Sequence, residues 1–496
     1  MRRIGARALA AAAALTLVSA GSSPFVRGPL TRGLRAGAPN VLIIVTDDQR
    51  ARGTLAVMPQ TTRWFRDRGA YFPNAFATTP LCCPSRASVL TGQYAHNHGV
   101  MTNGEGAGLE FEHTLPRYLR QAGYQTGVAG KFIQGVAPDF DPPYFDRWAT
   151  FRAGYYDTVA NLDGELSEVS EYVTDYLGEW SLRYLRGTEK EDDRPWLLYL
   201  APSAPHRPSL AAPAYFDDPV PPLRDDPSFA EEDRSDKPTY AQTSEATAAE
   251  IQHLLRKELN PLRLARDASG RGLRRFLKSP GFSWVEGARV WRDQLNTLRS
   301  VDDVVGRLFE ELGELGERRN TLAFFLSDNG LLLGEHGLYG KRVPYDPSVR
   351  IPLLVRWPKR VAGGTVDPRL AATLDVLPTV MEAAGLEPVG GHVVDGRSLL
   401  GGRIRSRLLL EQESNWRPGL TRLPDWTALR TSSFLFVEYR SRQDGSVSFR
   451  EYYDLAEDPW QLSNLLGDGD AANDPDVAAL SARLRRDAEC RGPACP

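Results

Sequence analysis

Apolar residues fall in short unbroken runs along this chain, and polar residues gather where each run stops. "NVLIIV" (40–45) ends on Thr46, Asp47 and Asp48, and "PWLLYLA" (195–201) ends on "PSAPHRP", which carries His206. "TLAFFL" (321–326) runs into Ser327, Asp328, Asn329 and Gly330, and "YQTGVAGK" (124–131) closes on Lys131. Such runs are too short for helices and too continuous for half-exposed strands, so they predict strands buried on both faces of a parallel sheet. Helical spacing lies between them. Leu295, Leu298, Val301, Val304, Val305, Leu308 and Leu312 recur by three and four, and a second such pattern covers roughly 112–122, before Gly123. Alternating strands and helices predict an α/β fold, with a large, mostly parallel sheet flanked by helices. Ligands bind such sheets beyond the carboxyl ends of the strands, which is where the polar residues collect.

Composition adds the boundaries. A chain of 496 residues suits one large domain and a smaller one, here expected at 38–365 and 366–496, the latter α+β. A net charge of −3 points to neither a nucleic-acid binder nor an acidic tail. Arg2, Arg3 and Arg7 precede an apolar stretch from Ala8 to Val18, followed by small residues, which predicts a signal peptide over residues 1–20. Eleven apolar residues are too few to span a bilayer, and no later run is long enough. The expectation is therefore a secreted or periplasmic chain with no membrane segment after cleavage, exported by either the general or the twin-arginine route. Cys490 and Cys495, close together at the C-terminus, are expected to form a disulfide in that setting. The proline-rich stretch 202–238 predicts a loop. The basic segment 254–280, with eight Lys/Arg against two acids, is either a solvated face or a landing strip for an anionic polymer.

Candidate chemistry concentrates at the predicted strand ends. Asp47, Asp48, Asp328 and Asn329 form a hard-oxygen set, suited to Ca²⁺ or Mg²⁺ rather than zinc. Lys131 and Lys341 add cations and His206 a proton carrier. Arg86 falls near the start of a predicted helix whose free N–H groups favour an anion. Together these describe a site for a tetrahedral oxyanion ester, of sulfate or of phosphate. Cys82 and Cys83 stand side by side in "PLCCPSRASVLTG" (80–92); vicinal cysteines make a poor disulfide, and no matching Cys/His pair completes a zinc site.

That segment resembles the type I sulfatases, whose hallmark is C-x-P-x-R followed by an L-T-G helix. "NVLIIVTDDQ", "GYQTGVAGKF", "APHRP", "LSDNGLLLGEHGLYGKRVPYDPSVRIPLLVRWP", "TLDVLPTVMEAAG" and "YYDLAEDPWQLSNL" resemble further family motifs in the same order, from about Asn40 to Leu465. The resemblance implies an alkaline-phosphatase-like fold. It implies that a formylglycine-generating enzyme converts Cys82 to formylglycine, with Cys83 a small packing residue. Asp47, Asp48, Asp328 and Asn329 would hold a Ca²⁺ (or Mg²⁺) that also touches residue 82. Arg86 would stabilise the aldehyde hydrate, while Lys131, His206 and Lys341 grip the sulfate ester. One hydroxyl of the hydrate would attack sulfur and displace the alcohol; the second would then expel sulfate and restore the aldehyde.

One position departs from the family pattern. Many members carry a histidine two residues after the strand lysine, where this chain has Ile133. His96 and His98 in "YAHNHGV" are candidates for that base or for substrate binding. The double cysteine, "HNH" and "GKRVPYDPSVRIP" look most like N-acetylglucosamine-6-sulfatases and heparan 6-O-endosulfatases, which implies a sulfated carbohydrate substrate. Two rivals stand beside this reading: a formylglycine-dependent phosphonate or phosphate ester hydrolase, and a non-catalytic glycan-binding protein on a sulfatase scaffold.

Overall fold

The computed structural model describes residues 37–151, 154–191, 194–223, 227–242, 284–401, 404–413 and 423–496. The predicted signal peptide and the basic stretch 254–280 lie outside them. The four apolar runs form strands Asn40–Thr46, Gln125–Gly130, Trp196–Ala201 and Thr321–Ser327, every residue of them buried. With Arg147–Phe151 they form the parallel centre of a ten-stranded mixed sheet, in the spatial order Thr321–Ser327, Asn40–Thr46, Trp196–Ala201, Gln125–Gly130, Arg147–Phe151. All five carboxyl ends therefore open on one edge.

The period of two along each strand sorts side chains between two cores. Leu42, Ile44, Leu198, Leu200, Ala323 and Phe325 meet Leu295, Leu298, Val301, Val305 and Leu308 of the long helix Trp284–Glu314. Val41, Ile43, Val45, Leu197, Tyr199, Leu322 and Phe324 face the other way, onto helices Cys82–Thr91, Leu115–Gln121 and Val376–Ala384. Covering both faces is what allowed the runs to be continuously apolar. The pattern at 112–122 resolves into a 3₁₀ turn, Phe111–His113, and the helix Leu115–Gln121, because Pro116 fits only the first turn.

A four-stranded antiparallel sheet, Leu408–Gln412, Asp425–Arg430, Phe434–Arg440 and Val447–Asp454, forms a second layer under helix Val477–Ala488. Thr365–Val366, at the expected domain boundary, pairs in parallel with Ala70–Tyr71 at one edge of the large sheet. Cys490 and Cys495 are joined by a disulfide. Among the described residues, no helix is long and apolar enough to cross a membrane.

Candidate active site

The carboxyl edge of the sheet brings the polar strand ends together. Asp47 and Asp48 follow one strand, Asp328 and Asn329 its neighbour, and Lys131 and His206 the ends of the next two. Asp48 takes a left-handed backbone, φ 66°, which Asp tolerates better than most residues, and its N–H donates to Asp328 Oδ1 at 3.1 Å. Gly130, before Lys131, has φ 102°, and a Cβ there would sit 2.1 Å from the Ala201 carbonyl oxygen. The strand can therefore turn Lys131 inward only with glycine at that place. The peptides before Pro205 and Pro208 are cis, flanking His206.

Cys82 is the first residue of helix Cys82–Thr91, every residue of which is buried. Asn103 Oδ1 caps the helix from outside by accepting the Cys83 N–H at 2.9 Å, and Pro84 leaves one fewer N–H to satisfy. At the far end Gly92 adopts φ 68° and closes the helix by donating to the Ser88 carbonyl. Cys83 is buried and bonds to the Gln134 carbonyl, Sγ to oxygen 3.3 Å.

Around Cys82, three carboxylates meet three cations. Lys131 pairs with Asp47, Lys341 with Asp48, and Arg86 with Asp328 through Nε at 2.9 Å and Nη2 at 2.8 Å. Arg86 Nη2 also lies 4.0 Å from Asp47, and its Nη1 donates to the Lys131 carbonyl at 2.6 Å. Lys341 reaches Cys82 Sγ at 2.8 Å and Asn329 Oδ1 at 3.2 Å, while Asn329 Nδ2 donates to Asp48 Oδ1 at 2.7 Å. Cys82 Sγ lies 3.5 Å from Asp47 Oδ1. His206 Nδ1 is tied to the Arg207 carbonyl at 2.6 Å, which leaves Nε2 facing Asp48 Oδ2 at 3.7 Å.

These contacts set the protonation states. Burial pushes the Asp47 carboxyl up, but Lys131, His206 and Arg86 outweigh it and hold it well below the usual carboxylate range. Asp48 is likewise held low, against burial, chiefly by Lys341. Both lysines are raised, because their carboxylate partners overcome burial. Burial drives the Cys82 thiol up to about 12. At neutral pH that sulfur keeps its proton, the reverse of a cysteine used directly as nucleophile.

The donor set fits a hard divalent cation. Asp47, Asp48, Asp328 and Asn329 offer oxygens, and ligand atoms of Asp47, Asp48, Cys82 and His206 lie within 4.8 Å of one another. The lysine ammoniums lodged against these acids show what charge the cluster demands. His206 belongs to this group, although its sequence neighbours gave no metal signal.

The structure corrects one expectation: it does not bring His96 and His98 into the cluster. His96 Nδ1 pairs with Glu411 at 3.0 Å and Nε2 bonds the Cys490 carbonyl at 3.0 Å, so it ties the C-terminal tail. His98 is buried between Ser88 Oγ and the Val100 N–H, each 3.1 Å away. Both rings have their nitrogens engaged, which leaves neither one free to act as a base on residue 82. Ser327, Gln49 and Glu335 were missed. Ser327 Oγ accepts the Gln49 N–H at 2.9 Å, and Glu335 pairs with Arg50, so they brace the two acidic loops. Single polar residues of this kind carry no spacing signal.

Fold and site together define an α/β protein with a buried cluster of acids and cations on the carboxyl edge of its sheet. The chain belongs to the sulfatase family: residues 39–386 match the Sulfatase model, and residues 334–489 match the C-terminal region of N-sulphoglucosamine sulphohydrolase. It is 33% identical over 384 residues to the extracellular sulfatase SULF-1 homolog of Drosophila melanogaster, a match covering 74% of this chain but 31% of that one. It is 29% identical to the N-acetylglucosamine-6-sulfatase of Homo sapiens, covering 93% and 87% respectively. A solved protein in complex with its substrate D-glucosamine-2-N,6-O-disulfate has the same fold, with TM-score 0.74, 23% identity and coverage of 90% and 97%. So does the phosphonate monoester hydrolase of Agrobacterium radiobacter, with TM-score 0.63, 23% identity and coverage of 90% and 95%. The architecture is the alkaline-phosphatase-like fold of the sulfatases.

Proposed function

We propose that this chain hydrolyses the sulfate ester of a sulfated sugar, with residue 82 as nucleophile after conversion of Cys82 to formylglycine. The observation that carries the reading is the place of Cys82, buried between Lys341 and Asp47 at the head of a helix and among three acids and three cations. As a thiol it is poorly placed to attack; its sulfur marks where the oxygens of the converted residue would stand. Hydrated formylglycine supplies two hydroxyls on one carbon, one to attack sulfur and one to release the sulfate. Asp47, Asp48, Asp328 and Asn329 would hold Ca²⁺, which supplies Lewis-acid charge at the ester.

The chain's own residues divide the remaining work. Lys131 and Lys341 set positive charge beside residue 82, where an incoming sulfate needs it. Arg86, anchored on Asp328 and the Lys131 carbonyl, keeps the acids apart and the helix head in place. His206, its Nδ1–H donated to a backbone carbonyl, presents Nε2, from which the imidazolium form would give its proton to the departing alcohol. The names of the matched relatives favour N-acetylglucosamine 6-sulfate or a glycosaminoglycan as substrate. An exported chain matured by a formylglycine-generating enzyme completes the proposal.

Because phosphonate hydrolases share this fold, the test compares both esters. Purified full chain from its native host should release sulfate from N-acetylglucosamine 6-sulfate far faster than it cleaves a phenyl phosphonate monoester, and chelation should abolish the activity. Preference for the phosphonate would move the chain to the rival reading. Binding of the sulfated sugar without turnover would favour the glycan-binding scaffold.

A further inference from the structure

A second polar site lies beside the first, walled by the same loops. Arg50 and Arg52 follow Asp48, and His336 and Arg350 bracket Lys341 in sequence; with Trp460 and Gln461 they line a cavity of about 30 Å³. Three of these residues are buried with one half of the side chain tied and the other half unpaired. Arg50 is 6% exposed; Nη2 pairs with Glu335, while Nε and Nη1 have no hydrogen-bond partner. His336 is fully buried, with Nδ1 on Glu231 at 2.8 Å and nothing on Nε2. Gln461 accepts the Asp346 N–H at 2.8 Å through Oε1, and its Nε2 is unpaired.

Buried polar atoms are rarely left without partners; Arg50 and Gln461, from distant segments, bring unpaired donors to one cavity, and His336, whose Nδ1–H goes to Glu231, leaves Nε2 open there, which points to a ligand. Charge narrows its nature. Glu335 takes one guanidinium, and Asp346, the one carboxylate among the described residues lining the cavity, takes two, Arg350 at 2.7 Å and Arg430 at 3.2 Å, although its Oδ1 accepts no hydrogen bond. Arg52 lies exposed at the mouth, 4.4 Å above the Trp460 ring. Positive charge is therefore in excess. Water would satisfy the donors but not that excess, and guanidinium groups match the planar edges of oxyanions. The volume suits a pair of waters or one small oxyanion seated partly in the mouth.

We propose that this cavity is a second oxyanion subsite, taking a sulfate group, either one borne by the glycan away from the scissile position or free inorganic sulfate. The proposal rests on the reading of the substrate as a sulfated glycan, and binding tests it separately from turnover. Calorimetric titrations of the full chain would use a heparin-derived hexasaccharide and, at constant ionic strength, sodium sulfate. Arg52→Ser should weaken hexasaccharide binding about tenfold, the scale of one lost charge-assisted contact, and leave sulfate release from N-acetylglucosamine 6-sulfate unchanged. Arg50→Gln should weaken binding at least as much; because it also unpairs Glu335, Arg52→Ser carries the test if that variant does not fold. If sodium sulfate gives heat that Arg52→Ser loses, free sulfate is a ligand; if only the hexasaccharide shows the loss, the glycan's own sulfate is. Unchanged affinity of Arg52→Ser for both probes overturns the subsite, as does an equal loss with the monosulfated sugar. Wild type that binds with this pattern but releases no sulfate overturns the hydrolase reading instead.

Discussion

Replacing Arg86 by Met tests how the acidic cluster is held together. Arg86 is fully buried and sits between Asp328, at 2.9 and 2.8 Å, and the Lys131 carbonyl, at 2.6 Å. Met fills much of the volume but leaves a buried carboxylate without its cation and a carbonyl without its donor. Breaking a buried pair by removing one partner costs about 3–5 kcal/mol. For 496 residues, at about 2.1 cal/mol/K per residue, the unfolding entropy is roughly 1 kcal/mol/K. The apparent Tm should therefore fall by about 3–5 °C in EDTA at a fixed scan rate. Calcium should then recover part of the deficit, because Asp328 and Asp47 regain a positive neighbour, whereas Arg86→Lys should lose less in EDTA. A Met variant that melts with wild type in EDTA, or a deficit indifferent to calcium, would refute the electrostatic account of the cluster.

Other outcomes follow from the same geometry. His206→Ala should cut sulfate release by about 10²–10⁴-fold with little change in Tm, since its Nδ1 bonds only a neighbouring carbonyl; steady-state kinetics and a melt decide it. Burial raises both thiols, Cys82 to about 12 and Cys83 to about 11, so any unconverted chain should resist iodoacetamide at pH 8 until unfolded, as mass spectrometry can count. Burial opposes the charge on His96, but Glu411 outweighs it and raises the imidazole to about 9. Its stabilisation is thus full below about pH 6.5 and lost as pH rises through 9, so the Tm gap between wild type and His96→Gln should shrink over that window. His98, pushed down to about 3 by burial, has the opposite sign: its contribution is present above about 6.5 and fades as acid protonates the unfolded chain.

Much of the site was legible because its residues sit where apolar runs end. Asp47, Asp48, Lys131, His206, Asp328 and Asn329 all follow buried parallel strands, and a parallel sheet must deliver such ends to one edge. Lys341 and Arg86 were named by charge and, for Arg86, by its place at a helix start, but their roles needed the family resemblance, since a loop lysine and a helix arginine carry no period of their own. The second sheet was harder to read. Strands such as Val447–Asp454 are only partly buried and pair with their immediate neighbours, so their runs mix polar and apolar residues without the continuous signal of the central strands. The expectation for His96 and His98 failed because nearness in sequence to Cys82 says nothing of side-chain direction. Gly92 closes the helix, after which His96 bonds the C-terminal tail at Cys490 and His98 lodges against Ser88.

The central claim concerns one atom, and the mass of one peptide tests it. Conversion of Cys82 to the aldehyde exchanges sulfur and two hydrogens for oxygen, a loss of about 18 Da from the nucleophile precursor. The tryptic fragment holding residue 82, from active material made in the native host, should show that loss on Cys82 and none on Cys83. A residue 82 that is still a thiol in material releasing sulfate at full rate would contradict the account.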